Sequence, residues 1–373
     1  MLARQFGCGG ASDPFSLTAL PERGRIKVRL SLRCELHENV MNDPTFLISR
    51  ICGSGQGLFY ARMRGGGLFF EGFNMKVGVA LGGGGAKGMA HVGVLRVLDS
   101  AGVQIDIIAG TSAGAIAGSL YAAGKTPDEI EELIHGLRIQ QLLTRDRTGM
   151  GFFSTDGIRR VIETAIGEMT RIEDLPHQFI AMAVDMDSGE ETAFDSGSVA
   201  DAVCASAAFP GLFAPVQING RCYFDGGVTN SVPFDVVRRR GASRVLAVDL
   251  GSDDPVFTIQ LPHRRGSAWF YRLLFVAGNQ NIVHVATRAI GVMSRQIRKQ
   301  KLKELPPDLI LRPLVQHVGM MDFDLTQDCI HAGEQAARDA LPQIQRVLKS
   351  PDWWYRSYRL MTRLRSRDGS DRY

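Results

Sequence analysis

From Met75 onward, short apolar runs alternate with stretches in which apolar residues recur every three or four positions, the signatures of buried strands and of amphipathic helices. Val77 to Leu81 is a compact strand-like run behind a charged residue, and Ile105 to Ala109 is a second. Between them, Met89 to Leu98 carries apolar residues at Val92, Leu95, Val97 and Leu98, one face of a helix. The small-residue stretch after Gly110 predicts a helix ending near Gly124. Another opens at Thr126, with Pro127 at the first helical position, Glu129 three residues after the cap, and Asp128 and Glu129 in the positive first turn. Downstream, strands are predicted from Phe179 to Asp185, Arg221 to Phe224, Arg244 to Leu250 and Asp308 to Leu311, with helices from Ser198 to Ala208 and Pro233 to Arg240. This rhythm predicts an α/β fold in three layers, a mostly parallel central sheet with helices on both faces.

The first 74 residues break the pattern. Glycines cluster at Gly53–Gly57 and Gly65–Gly67, arginines are scattered, and neither period is sustained. Little packed structure is expected there, and residues 1–74 read as a poorly ordered extension or a misassigned start. The expected division is 1–74, an α/β unit over 75–325, and a helical, basic tail over 326–373.

Composition narrows the classes. A chain of 373 residues with 45% hydrophobic and 22% charged content can bury a sizeable core. A net charge of +4 is too mild to imply a nucleic-acid partner. The six cysteines, Cys8, Cys34, Cys52, Cys204, Cys222 and Cys329, form no C-x-x-C pair and have no histidine at zinc-ligand spacing, so free thiols in a reducing compartment are expected. No apolar run approaches the ~20 residues of a membrane span. The expected location is cytoplasmic, with peripheral attachment at the inner face of the membrane as the membrane option.

Two glycine motifs carry the chemistry. Gly83 to Gly88 satisfies G-x-G-x-x-G between a strand and a helix, the context of a dinucleotide fingerprint. The acidic residue required at the end of the second strand is replaced by Gly110-Thr111-Ser112, and Lys87 is followed by Gly88, which fails a Walker A loop. A plain tight turn remains the bland reading of this loop. Gly110 to Gly114 reads G-x-S-x-G, again between strand and helix, where a strained serine lifts its hydroxyl above the sheet and small neighbours relieve crowding. The alternative is a serine that merely caps its helix. Backbone N–H groups of Gly83, Gly84 and Gly85, at the end of the adjoining strand, are the candidates to stabilise an oxyanion.

A serine nucleophile needs a base. His91 falls inside the first helix, His135 near the end of another and His177 after a proline, while His263, His284, His317 and His331 are scattered. None has a setting that marks it. Asp225 does: it ends a short strand and is followed by Gly226 and Gly227, a turn that brings a carboxylate to the edge where Ser112 lies, unless it is an ordinary Asp-Gly turn.

With these residues in view, the chain resembles the patatin-like phospholipases, serine lipid acyl hydrolases with a Ser–Asp dyad. G-G-G-A-K-G at Gly83–Gly88, G-T-S-A-G at Gly110–Gly114 and D-G-G at Asp225–Gly227 match in order and context, as does the segment from Ala205 to Val216. The resemblance is strong over residues 77–240 and weaker to Asp324. It implies that Ser112 attacks an ester carbonyl, that Asp225 accepts its proton, and that the loop amides, chiefly of Gly84 and Gly85, hold the oxyanion. No metal or cofactor is implied. Gly88, Gly110, Gly114, Gly226 and Gly227 support the motifs, and Lys87 either counters negative charge beside the loop or is simply solvated. A free aspartate, with a pKa of about 3.9, is a poor base at neutral pH, so burial in a lipid-lined cleft should raise it.

Three further stretches bear on the substrate. The Asp185 to Glu191 stretch resembles a calcium loop but lacks the glycine and terminal glutamate of an EF-hand, and reads as a turn between strands. Ser267 to Lys303 suggests helices with a lipid-facing or packing surface and then a basic face. From Asp352, Trp353, Trp354, Tyr358 and Met361 sit among five arginines, which reads as a membrane-surface helix or as a solvated helix packed by its tryptophans. The expected function is hydrolysis of acyl lipids. The competing readings are a Ser–His–Asp hydrolase of the ordinary α/β type and a lipid-binding module without catalysis.

Overall fold

The computed structural model describes residues 75–135, 139–251 and 280–349, and before them the backbone of five strands. The chain divides into two units, Met1–Met75 with Pro351–Tyr373, and Lys76–Ser350. In the first, β1 (Phe15–Glu22) and β2 (Arg25–Leu32) form an antiparallel pair, and β3 (Thr45–Phe46), β4 (Leu58–Arg64) and β5 (Gly67–Phe73) a three-stranded antiparallel sheet. The aromatic and basic segment from Asp352 lies outside the described residues, as do residues 252–279.

The second unit is the predicted α/β layering. Its strands are β6 (Val77–Leu81), β7 (Ile107–Thr111), β8 (Thr144–Arg145), β9 (Phe153–Ser154), β10 (Gln178–Asp185), β11 (Glu191–Phe194), β12 (Val216–Ile218), β13 (Arg221–Asp225), β14 (Arg244–Val248) and β15 (Leu309–Leu311). The helices are α1 (Ala90–Ser100), α2 (Ala113–Ala122), α3 (Pro127–His135), α4 (Ile139–Leu142), α5 (Asp156–Ile166), α6 (Val199–Ala207), α7 (Phe234–Arg239), α8 (Gln280–Glu304) and α9 (Thr326–Lys349). The central sheet runs β12-β13-β10-β7-β6-β14-β15, with β11 also paired to β10, and β8 and β9 form a separate two-stranded ladder. Pairing is parallel from β10 through β15, whereas β11 and β13 join β10 antiparallel.

Strands β6, β7 and β14 are buried at every position, which is why their sequences run apolar without alternation. Alternate side chains serve opposite cores. Val79, Leu81, Ile108 and Leu246 join α1, α2, α6 and α9 on one face, while Ala80, Ile107, Ala109 and Val245 join α7 on the other. The α1 and α9 helices cross closely: a Cβ on Gly93 would lie 2.0 Å from the Ile330 carbonyl oxygen, and one on Gly333 the same distance from that of Ala90. Arg96 of α1 ties the pair to α3 through ion pairs with Asp128, Glu131 and Glu334. The capping box forms as read, with Thr126 N–H donating to Glu129 and Glu129 N–H to the Thr126 hydroxyl. Asp185 to Glu191 is the β10–β11 turn, its amides of Asp187 and Ser188 held by the Asp185 carboxylate. Cys204, Cys222 and Cys329 are free thiols. No helix among the described residues is long and apolar enough to cross a membrane.

Candidate active site

Strand β7 turns directly into α2 at Ser112. The serine takes φ 54° and ψ −121°, a backbone state costing about 1–3 kcal/mol for a residue with a side chain. Asn219, the other described non-glycine residue at positive φ, sits before Gly220 in the β12–β13 turn, where asparagine is at home. Ser112 has no such local reason, and its strain points to function. The turn closes because its neighbours lack side chains: a Cβ on Gly110 would lie 2.3 Å from the Gly114 carbonyl oxygen, and one on Gly114 2.1 Å from that of Leu81. Gly88 matters for the same reason, since its Cβ would meet that of Ala113 at 2.3 Å. The Ser112 N–H donates to the Ser206 hydroxyl at 3.0 Å.

Asp225 ends β13 opposite Ala183 of β10 and is 2% exposed. Its Oδ1 accepts the Gly227 N–H at 2.6 Å. Burial pushes its pKa up to about 6, and the hydrogen bonds from Gly227 N–H and the Ser112 hydroxyl restrain that rise by favouring the ionised form. Gly226 lets the turn press on β10, where a Cβ would lie 2.4 Å from the Met182 carbonyl oxygen. Buried Asn230 couples the two halves of the site. Its N–H donates to the Gly226 carbonyl at 2.7 Å and its own carbonyl accepts the Thr111 hydroxyl at 2.8 Å.

In the glycine loop the three candidate amides differ. Gly83 N–H is already given to the Ser231 carbonyl at 2.9 Å, so Gly83 shapes the loop without a free donor. Among the described residues, no acceptor takes the N–H of Gly84 or of Gly85. Gly85 has φ +59°, and a Cβ there would lie 2.4 Å from the Met320 carbonyl oxygen, which also accepts Ala86 N–H at 2.8 Å. Behind the loop, buried His91 lies 2.7 Å through Nε2 from the Gly82 carbonyl, to which it donates as a neutral ring because desolvation lowers its pKa to about 4.

Ser112, Asp225 and Gly83–Gly85 line one cavity of about 300 Å³. Its remaining walls are largely apolar and come from α2, α3, α5, α8 and the segments around Leu212 and Met320. Among the described residues, no histidine lines it. His177 is held by the Ile105 carbonyl and His135 lies beside Glu131 and Gln327. His263 and the side chain of His284 lie outside the described residues. Lys87 is a half-buried cavity residue, and desolvation lowers its pKa, with Cys329 and Asp322 opposing. Free solvation is therefore not its setting. Among the described residues, no cluster of His, Cys, Asp and Glu is arranged to hold a metal.

Several supporting groups were not legible from motifs. Ser206 lies 94 positions from the serine whose amide it takes, and Ser294 of α8 donates its hydroxyl to the Gly227 carbonyl at 2.6 Å. Arg298 of α8 forms a buried ion pair with Asp249, just after β14. The one sequence signal was the small-residue run from Ala205, which marked a segment close to the site without assigning Ser206.

Residues 79–238 match the family model for patatin-like phospholipases. The lysophospholipase NTE1 of Saccharomyces cerevisiae is 28% identical over 277 residues, covering 70% of this chain and 16% of that protein. An uncharacterized NTE family protein of Mycobacterium tuberculosis is 31% identical over 272 residues, covering 71% of this chain and 46% of its own. This chain thus spans less than half the length of either. Among solved structures, VipD from Legionella pneumophila aligns with a TM-score of 0.48 at 14% identity, over 80% of this chain and 72% of that one.

Proposed function

Because residues 79–238 are a patatin-like phospholipase domain, we propose that the chain is a serine lipid acyl hydrolase cleaving carboxylic esters of phospholipids, lysophospholipids or related acyl lipids. The observation that carries this reading is a strained serine and a buried carboxylate lining the same largely apolar cavity. Ser112 Oγ attacks the ester carbonyl carbon while Asp225 takes its proton. A base with a pKa near 6 serves this step better than an ordinary carboxylate. The tetrahedral oxyanion accepts the unengaged N–H groups of Gly84 and Gly85, each such donor being worth about 3–4 kcal/mol of barrier. Asp225 then returns the proton to the departing alkoxide, leaving an acyl-serine. Water attacks that ester with Asp225 again as base, and the carboxylic acid leaves with Ser112 restored.

The absence of any histidine from the described walls favours this dyad over a Ser–His–Asp arrangement. In the same reading the enzyme is cytoplasmic and meets its lipid as a peripheral protein, the segment from Asp352 onward contacting the membrane surface. The test is hydrolysis of p-nitrophenyl butyrate and of a lysophospholipid by wild type, Ser112→Ala and Asp225→Ala, with a metal chelator present. Each substitution is expected to lower kcat by at least about a thousandfold. Turnover that survives in Asp225→Ala refutes the dyad, and turnover absent from every protein refutes the hydrolase.

A further inference from the structure

The cavity is polarised about the nucleophile. Ser112, Ile116 and Leu120 follow one another at four-residue intervals on α2 and all line it. At 1.5 Å per residue, Leu120 stands about 12 Å along the helix from Ser112. Leu133 of α3 and Ile158 and Val161 of α5 add further apolar side chains to the lining. From α8 and the end of β14 the lining includes Arg295, Arg298 and Asp249.

We infer that the α2 end is an acyl-chain slot running from Ser112 past Ile116, and that Leu120 and Leu133 close it and so set the longest acyl chain accepted. The inference rests on the hydrolase reading for its substrate and on the cavity for its geometry. An ester bound with its carbonyl at Ser112 has an apolar channel on the side of α2 and an ionic wall on the side of α8. The acyl chain enters the first because burying methylenes is favourable and stripping water from charged side chains is not. The polar alcohol portion is thereby left towards α8.

The experiment measures kcat/KM for p-nitrophenyl esters from butyrate to laurate with wild type, Leu120→Trp, Leu133→Trp and Ile290→Trp. Ile290 lines the cavity from α8. Filling the slot is expected to lower the laurate-to-butyrate ratio by about tenfold or more, the discrimination that displaced methylenes produce in an apolar pocket. The expected outcome is that fall in Leu120→Trp and Leu133→Trp and none in Ile290→Trp. A ratio unmoved in both slot variants, or moved as far by Ile290→Trp, overturns the assignment. Two slot positions on different helices guard against one variant failing to fold. Calorimetric binding of laurate to Ser112→Ala, with and without Leu133→Trp, reads the slot without turnover. Laurate bound equally by both proteins overturns the slot, and laurate lost with Leu133→Trp supports it even if no ester is hydrolysed.

Discussion

Replacing Asp225 with asparagine separates what the carboxylate does for chemistry from what it costs the fold. The carboxyl is buried, and its pKa stands at about 6 against an ordinary 3.8. That displacement of about two units corresponds to about 3 kcal/mol, at 1.36 kcal/mol per unit. Between the two values the folded protein holds a proton that the unfolded chain has released. The group's contribution to stability is therefore complete below the unfolded pKa and is lost as pH rises through about 6. Above that the native state carries a buried negative charge. Asparagine keeps the shape and the oxygen that accepts the Gly227 N–H but removes the charge. Asp225→Asn is expected to be more stable than wild type by up to about 3 kcal/mol near pH 8, with the difference vanishing near pH 4. Guanidinium unfolding at both pH values gives the comparison directly. In parallel, kcat/KM of the wild type should rise with pH along an acid limb centred near 6. An acid limb at the ordinary carboxylate value, or an asparagine variant equally destabilised at both pH values, refutes the reasoning.

Two further outcomes follow from the same geometry. Gly114→Ala would drive a Cβ to 2.1 Å from the Leu81 carbonyl oxygen, so the turn cannot close as it does; esterase activity should fall below detection, and thermal unfolding should show a loss of several kcal/mol. His91 is held neutral, its pKa lowered from 6.5 to about 4 by burial, so the unfolded chain binds a proton there first and stability should decline as pH falls from about 6.5 to about 4. His91→Asn should flatten that decline in melts followed over the same range, and an unaltered slope would contradict it.

Much of the site was legible because its parts are local. A serine flanked by glycines between strand and helix, an aspartate at the end of a strand before two glycines, and the Thr126 capping box are each decided within a few residues by steric room and backbone hydrogen bonding. The rise in the pKa of Asp225 was also expected, since burial of a carboxylate in an apolar cleft disfavours its charged form. The glycine loop was only half read. Its three amides look alike in sequence, yet Gly83 donates to Ser231 while no described residue accepts from Gly84 or Gly85, and that depends on a carbonyl almost 150 positions away. The solvated role offered for Lys87 gave way to a half-buried position on the cavity wall.

The sequence by itself determined the alternation of strands and helices, the layering that continuous apolar strands require, and the placing of Ser112 and Asp225 at turns that follow strands. These follow from side-chain period and from the sterics of short turns. Only the tertiary structure decided that β13 meets β10 antiparallel so that Asp225 and Ser112 line one cavity, that Asn230, Ser206 and Ser294 brace the two turns, and that apolar residues of α2, α3 and α5 line the same cavity. The physical reason is range: propensity and turn chemistry act between neighbours in the chain. Burial, hydrogen-bond partners and cavity walls are set by groups far apart in sequence that meet only once the sheet is paired.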